Sequence, residues 1–313
     1  MAEAVAIAST AEAAMCGIVG LFLKDARLET SLGAYLAPML IGMSERGPDS
    51  AGFAVYRPPA PGCTVKLTLH HPDERHPWDR LRDDLAKTLS ARVEVEVRAS
   101  HCVLASDAPG DAIRSVLAER HPEVRLMGIG ETIEIFKEKG LPEAVAKRFR
   151  LAELYGSHAI GHTRMATESA VTTEHSHPFS TGLDLCLVHN GSLSNHNRLR
   201  LWLRRHGIEF QTDNDTEVAA GYLTWRLREG ASLDQALEAA LTDLDGFYTF
   251  AVGTRDGFAV LRDSFACKPA VLAETDGWVA MASEYRSIAH LPGAEQAKIW
   301  EPAPATVYSW ARH

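Results

Sequence analysis

The chain has no C-x-x-C pair, no stripe of lysine and arginine, no apolar run long enough to span a bilayer and no internal repeat. Each absence removes a class of protein. The five cysteines, Cys16, Cys63, Cys102, Cys186 and Cys267, are odd in number and far apart, which argues against a disulfide framework, a zinc ribbon or an iron–sulfur cluster held by this chain. A reducing cytoplasm is the expected setting. With 41 acidic residues against 32 basic ones, the formal net charge of -9 has the wrong sign for a nucleic-acid binder. The opening MAEAVAIASTAEAAM lacks a basic n-region and carries Glu3 and Glu12, so it reads poorly as a secretory signal. Its composition fits a mobile Ala-rich tail as well as a removable leader.

What is present is enough apolar material, 46% of 313 residues, for one large domain or two modest ones. CGIVGLFLK reads as a buried strand and LGAYLAPMLIGMSERG has helical spacing up to a Gly stop. RGPDSAGFAVYR is a turn feeding a second strand, and RPPAPGC marks a boundary. From about residue 60 to 152 the pattern changes: VKLTLHH, VEVEVRASHCVLAS and VRLMGIGETIEIFKE read as strands, PWDRLRDDLAKTLS, GDAIRSVLAERH and PEAVAKRFRLAELYG as helices. This stretch is expected to be an α/β insertion, and its lone GIG is a turn or bulge before it is a nucleotide loop. Strand-rich sequence resumes at HAIGHTRMATES and DLCLVHNGSLSN, and the last hundred residues add DQALEAALTDL and strands in FYTFAVGT, FAVLRD, PAVLAE and WVAMAS. Strands in runs with helices grouped between them favour α+β layers over a doubly wound parallel sheet.

Four polar segments join strand ends to rare residue types: Cys16-Gly17, GHTRMAT with Arg164, HNG with Asn190 and Gly191, and TDNDTE with Asp215. Together with RGPDS at Arg46 to Ser50, HPF at His177 to Phe179 and HNGSLSN at His189 to Asn195, they form an ordered set from Cys16 to about residue 225. In that order they resemble the class II glutamine amidotransferases of the N-terminal nucleophile hydrolase fold. The resemblance implies a four-layer αββα sandwich with the insertion at about 60–152. It also implies roles: Cys16 as nucleophile, Asn190 and Gly191 as oxyanion donors, Arg164 for the α-carboxylate of glutamine and Asp215 for its α-ammonium. Arg46 would support the site and Thr167 would add a hydrogen bond. Where many members have Trp-Ala-Thr-His after GHTR, this chain has Met165-Ala166-Thr167-Glu168.

The residue types suit those roles. Thiolate sulfur attacks carbonyl carbon and forms a thioester that water can open. If Cys16 is residue one of the mature chain, its own α-amino group, which ordinarily titrates at about 7.7 to 8.0, can accept the thiol proton. Residues 1–15 are then absent from the active form, either because Met15 initiates and is trimmed or because a leader is cleaved. The planar guanidinium of Arg164 suits a bidentate carboxylate grip that Lys cannot match. The bland alternatives are a buried Cys opening a strand, an Asn-Gly turn, and an ion pair between Arg164 and Asp215. Asp213 is a rival for the ammonium role. His175 and His177 in EHSHP read as turn or strand residues, since no third and fourth ligand shows metal spacing.

No second synthase domain fits in the residues after Asp215, so the resemblance places acceptor chemistry on another polypeptide. GHTRMATES, the insertion and the length resemble the stand-alone amidotransferase subunits related to the first domain of glutamate synthase, that of N-methylglutamate synthase among them. Such systems carry FMN, and in some cases an iron–sulfur cluster, on partner subunits, and none is expected here. Two further readings stand beside this one: an inactive regulatory or scaffolding module, and a self-contained N-terminal nucleophile amidohydrolase.

Overall fold

Near-continuous apolar runs such as GIVGLFL and SAGFAVY, buried at every position, belong to strands covered on both faces. The computed structural model describes residues 16–166 and 170–312. Its larger sheet contains β1 (Gly17–Leu23), β2 (Ser50–Tyr56), β7 (Ile133–Lys139), β8 (His158–Arg164), β13 (Val271–Glu274), β14 (Trp278–Ala282) and β15 (Lys298–Trp300), in the order β15-β13-β14-β1-β8-β2-β7. A second sheet, β16-β12-β11-β10-β9, is built from β9 (Phe179–Gly182), β10 (Leu185–Leu193), β11 (Gly246–Gly253), β12 (Gly257–Arg262) and β16 (Thr306–Ala311). Neighbouring strands in both run antiparallel.

The two sheets pack face to face through Ile18, Phe22, Ile160, Val188, Ala251 and Phe258 among others. On its outer face the larger sheet carries α1 (Leu32–Ile41) and α4 (Pro142–Arg148). Over the second sheet lie α5 (His196–Arg205), α6 (Asp215–Arg228) and α7 (Leu233–Asp243). Local signals match these starts: Pro142 opens α4, Asn214 caps α6 by accepting from Thr216 N, and Ser232 with Gln235 forms a capping box on α7. The result is the expected αββα sandwich of the α+β class.

The third sheet, β4-β5-β3-β6, comprises β3 (Val65–His70), β4 (Val93–Arg98), β5 (His101–Ser106) and β6 (Arg125–Gly130), with α2 (Trp78–Leu89) and α3 (Gly110–Arg120) against it. Its order is that of a split βαβ unit, βαββαβ. VEVEVRASHCVLAS folds into the hairpin β4–β5, turning at Ala99 with φ 51°. VRLMGIGETIEIFKE is also divided, because β6 stays in the small sheet while β7 pairs with β2. So β7 and α4, inside the stretch 60–152, pack with the larger body, and the separate small sheet spans Val65 to Gly130. The GIG glycines lie in β6, beside a register shift between Thr68 and Leu69 of β3.

Two polar devices tie this sheet to the body. Asp184, at φ 51°, accepts the backbone N–H groups of Glu131, Thr132 and Ile133 at 2.7, 2.8 and 3.0 Å, holding the β6–β7 link against the β9–β10 turn. Fully buried Glu134 on β7 meets Arg57 at 2.6 Å and Lys66 of β3, and Arg57 also reaches Glu96 of β4.

Candidate active site

Chain alternation decides which side chains enter the space between the main sheets. On β1 the residues facing the second sheet are Ile18 and Phe22, so Cys16 extends that face; on β10 the series is Cys186, Val188, then Asn190. On β8, Ile160 leads to His162 and Arg164. The ladder pairs Gly17 with Thr163, so one step outward Cys16 lies beside Arg164, and Arg164 is flanked on its other side by Ser50 of β2. Close approach demands Gly at 17: a Cβ there would lie 2.7 Å from Met43 Cβ and from Thr163 Oγ1.

Cys16 is half-buried, its Sγ 3.9 Å from the Met165 carbonyl oxygen. Burial pushes its thiol pKa up, against which the Met165 backbone and the positive charges of Arg164 and Lys268 pull it down. Arg46 donates from Nε to the Cys16 carbonyl at 3.3 Å and is held in turn by Glu284 at 2.8 Å. Buried Arg164 donates from Nη1 to Ala170 O at 3.0 Å. Its carbonyl accepts from Asp49 N at 3.1 Å, and the Asp49 carboxylate accepts from Ala166 N at 2.7 Å.

Asn190 is buried, and its Nδ2 has no hydrogen-bond partner among the described residues. That is costly unless a ligand or water answers it. Gly191 follows on the exposed end of β10 with φ 145°, and a Cβ there would fall 1.8 Å from Phe247 O. Asp215 opens α6, and its Oδ2 accepts from Leu193 N at 2.8 Å. Asp213, the rival, is 85% exposed and bonds His175 Nε2 at 3.0 Å, out on the surface. Thr167 lies outside the described residues.

GHTR, HPF and DNDTE stand out in the sequence, but nothing local foretells that their other polar residues form a buried cluster. His162 Nε2 lies 3.0 Å from His189 O, and its ring stacks on His177 with centroids 3.9 Å apart. Thr216 Oγ1 is shared by His177 Nε2 at 2.7 Å and His189 Nδ1 at 3.0 Å. Burial pushes all three histidines below the usual range, so they are neutral near pH 7. The placing of each histidine within a motif was the available signal. Lys137 was missed as well: buried on β7, it donates to the carbonyls of Glu174, Ser176 and Pro178 at 3.2, 2.8 and 3.1 Å and so fixes the segment that delivers His177.

This sandwich, with Cys16 at the start of the central strand β1 of one sheet and Asn190-Gly191 on β10 of the other, has the architecture of the N-terminal nucleophile amidotransferases. A family model described as a glutamine amidotransferase domain matches residues 162–290. "Glutamine amidotransferase-like protein GlxB" of Rhizobium meliloti (strain 1021) is 57% identical over 297 residues, covering 95% of this chain and 98% of that one. The chain therefore belongs to the class II glutamine amidotransferase family. A "putative glutamine amidotransferase" of Methanothermobacter thermautotrophicus is 31% identical over 94% of this chain and 99% of its own length. The glutamine–fructose-6-phosphate aminotransferase of Aliivibrio fischeri shares a shorter stretch of 141 residues at 36% identity, 45% of this chain and 21% of that protein. Among solved structures, the glutamine phosphoribosylpyrophosphate amidotransferase of B. subtilis superposes with a TM-score of 0.56 at 20% identity, over 95% of this chain and 49% of that one, which is a likeness of fold. Among the described residues no helix is long and apolar enough to cross a membrane.

Proposed function

We propose that this chain hydrolyses glutamine as the amidotransferase subunit of a glutamate-synthase-like complex, with Cys16 as an N-terminal nucleophile. Once residues 1–15 are gone, the free α-amine of Cys16 takes the thiol proton and the sulfur attacks the side-chain carboxamide carbon. Asn190 Nδ2 and the Gly191 N–H stabilise the tetrahedral oxyanion, ammonia leaves with the returned proton, and water opens the thioester to give glutamate. Arg164 grips the α-carboxylate and Asp215 the α-ammonium. Arg46 holds the Cys16 carbonyl so that the thiol keeps its aim, and Thr167 adds a hydrogen bond. The observation that carries this reading is the buried, unanswered Asn190 Nδ2 on β10 of the second sheet, across the gap from the layer that carries Cys16 and Arg164.

The finer reading is the amidotransferase component of N-methylglutamate synthase, acting in the cytoplasm with partners that hold FMN and, where present, the iron–sulfur cluster. It rests on GHTRMATES and the insertion, and two relatives align with this chain over almost all of their length. The same residues would accept an N-methylated glutamine amide, since only the leaving group changes. Ammonia release from glutamine and methylamine release from γ-glutamylmethylamide, measured with trimmed protein, test both levels. Release of neither refutes the glutaminase reading; release of ammonia alone refutes the methylamine one.

A further inference from the structure

The groups that the proposed reaction must bring together lie on two different layers. Cys16 and Arg164 belong to the larger sheet, Asn190 and Gly191 to the smaller. Ladder hydrogen bonds fix spacing within a sheet, and apolar packing between sheets is non-directional. At this end the apolar packing also gives way to buried polar atoms, Ser50 Oγ, Thr249 Oγ1 and Asn190 Nδ2, none with a partner among the described residues.

A directional tie crosses the gap there. His162 is fully buried on β8, two residues before Arg164, and its Nε2 meets the His189 carbonyl at 3.0 Å. That carbonyl belongs to the peptide bond leading into Asn190. A carbonyl oxygen only accepts, so Nε2 carries the hydrogen and Nδ1 is bare. Burial lowers the His162 pKa to about 3, which keeps the ring neutral and the tautomer single at working pH. The stack on His177, 3.9 Å between centroids and 17° between planes, holds the ring, and His177 is itself anchored on Thr216 at 2.7 Å.

We infer that His162 is a positioning residue for the glutaminase reaction proposed above: its Nε2–H bond to the His189 carbonyl sets the spacing between the nucleophile layer and the oxyanion-donor layer. Arg164 and Asp215 also lie on opposite layers, held on Ala170 O and Leu193 N, but charge attraction at the two ends of glutamine falls off with distance more gently than an oxyanion hydrogen bond, so ground-state binding depends less on this bond. The oxyanion donors act in the transition state, and a misplacement of about 1 Å there costs roughly 100-fold in rate. Loss of the bond therefore lowers kcat far more than it raises KM.

The test compares His162→Met with His162→Gln, side chains of similar length of which only Gln donates an N–H. The Met variant is expected to lose about 10- to 100-fold in glutaminase kcat with KM within about threefold, while Cys16 keeps its rate of alkylation by iodoacetamide. Gln is expected to recover most of the loss. A Met variant with undiminished kcat, or Met and Gln variants equally impaired in step with thermal stability, overturns the inference. If the variants do not fold, or if unsubstituted protein hydrolyses no glutamine and the proposed function itself fails, nitrogen NMR of the unsubstituted protein decides. A protonated Nε2 and bare Nδ1 on His162 are expected across neutral pH, and the opposite tautomer or an imidazolium overturns the tie.

Discussion

Replacing Gly191 by Ala perturbs the candidate oxyanion site through the backbone alone. At φ 145° a Cβ would sit 1.8 Å from Phe247 O, 2.8 Å from Phe247 C and 2.8 Å from Tyr248 Cα, all backbone atoms of the paired strand. No side-chain rotation relieves such a contact. β10 and β11 must part by about 1.5 Å to reach ordinary separation, which breaks the ladder where Gly191 faces Tyr248 and Ser192 faces Phe247. Residual φ strain of about 1–3 kcal/mol and one or two ladder bonds of about 1 kcal/mol each give a cost of roughly 2–5 kcal/mol. In a domain of this size that lowers Tm by about 10 °C. The displaced Gly191 N–H and Asn190 amide also lower kcat for glutamine by about 100-fold. Differential scanning calorimetry and an ammonia-release assay read both effects. An Ala variant that keeps its Tm within about 2 °C and its kcat within about twofold would refute the strain argument and the oxyanion role together.

Arg164→Lys keeps a positive charge near Cys16 but removes the planar fork; KM for glutamine should rise about 10- to 100-fold while the pH profile of Cys16 alkylation stays in place. A large alkaline displacement of that profile would contradict it. Lys137 supplies a pH signature in stability. Its folded pKa is lowered to about 8 by burial from the free value of 10.5, so between these limits the unfolded chain binds more protons and stability rises with pH. Chemical denaturation near pH 7.5 and near pH 9.5 should show this increment in the unsubstituted protein and not in Lys137→Met.

The layers were legible because β1 is apolar at every position and β2 nearly so, and because α6 and α7 over the second sheet carry side-chain caps. The candidate residues stood out in the sequence by type; the structure puts Cys16 and Arg164 at adjoining strand ends, Asn190 within β10 and Asp215 at the start of α6. Less was readable where one unbroken pattern serves two structures. Nothing local in GIGETIEIF says that β6 and β7 part into different sheets; the cause is the Asp184 carboxylate, more than fifty positions away, collecting three consecutive N–H groups. β16 escaped notice because, as an edge strand paired only with β12, it is half-exposed and carries little apolar alternation. The histidine cluster was hidden for a similar reason. His177 reads as a turn or strand residue, and His162 and Thr216 carry no mark of their own, until tertiary packing stacks and bonds them.

The central claim is that one residue both attacks and shuttles the proton, and the direct measurement is peptide mass mapping of catalytically active protein after inactivation by a glutamine-like electrophile. The account predicts a mature chain beginning at Cys16 with one adduct on its sulfur. Full glutaminase turnover by protein that still carries residues 1–15, or an adduct on any other residue, would contradict it.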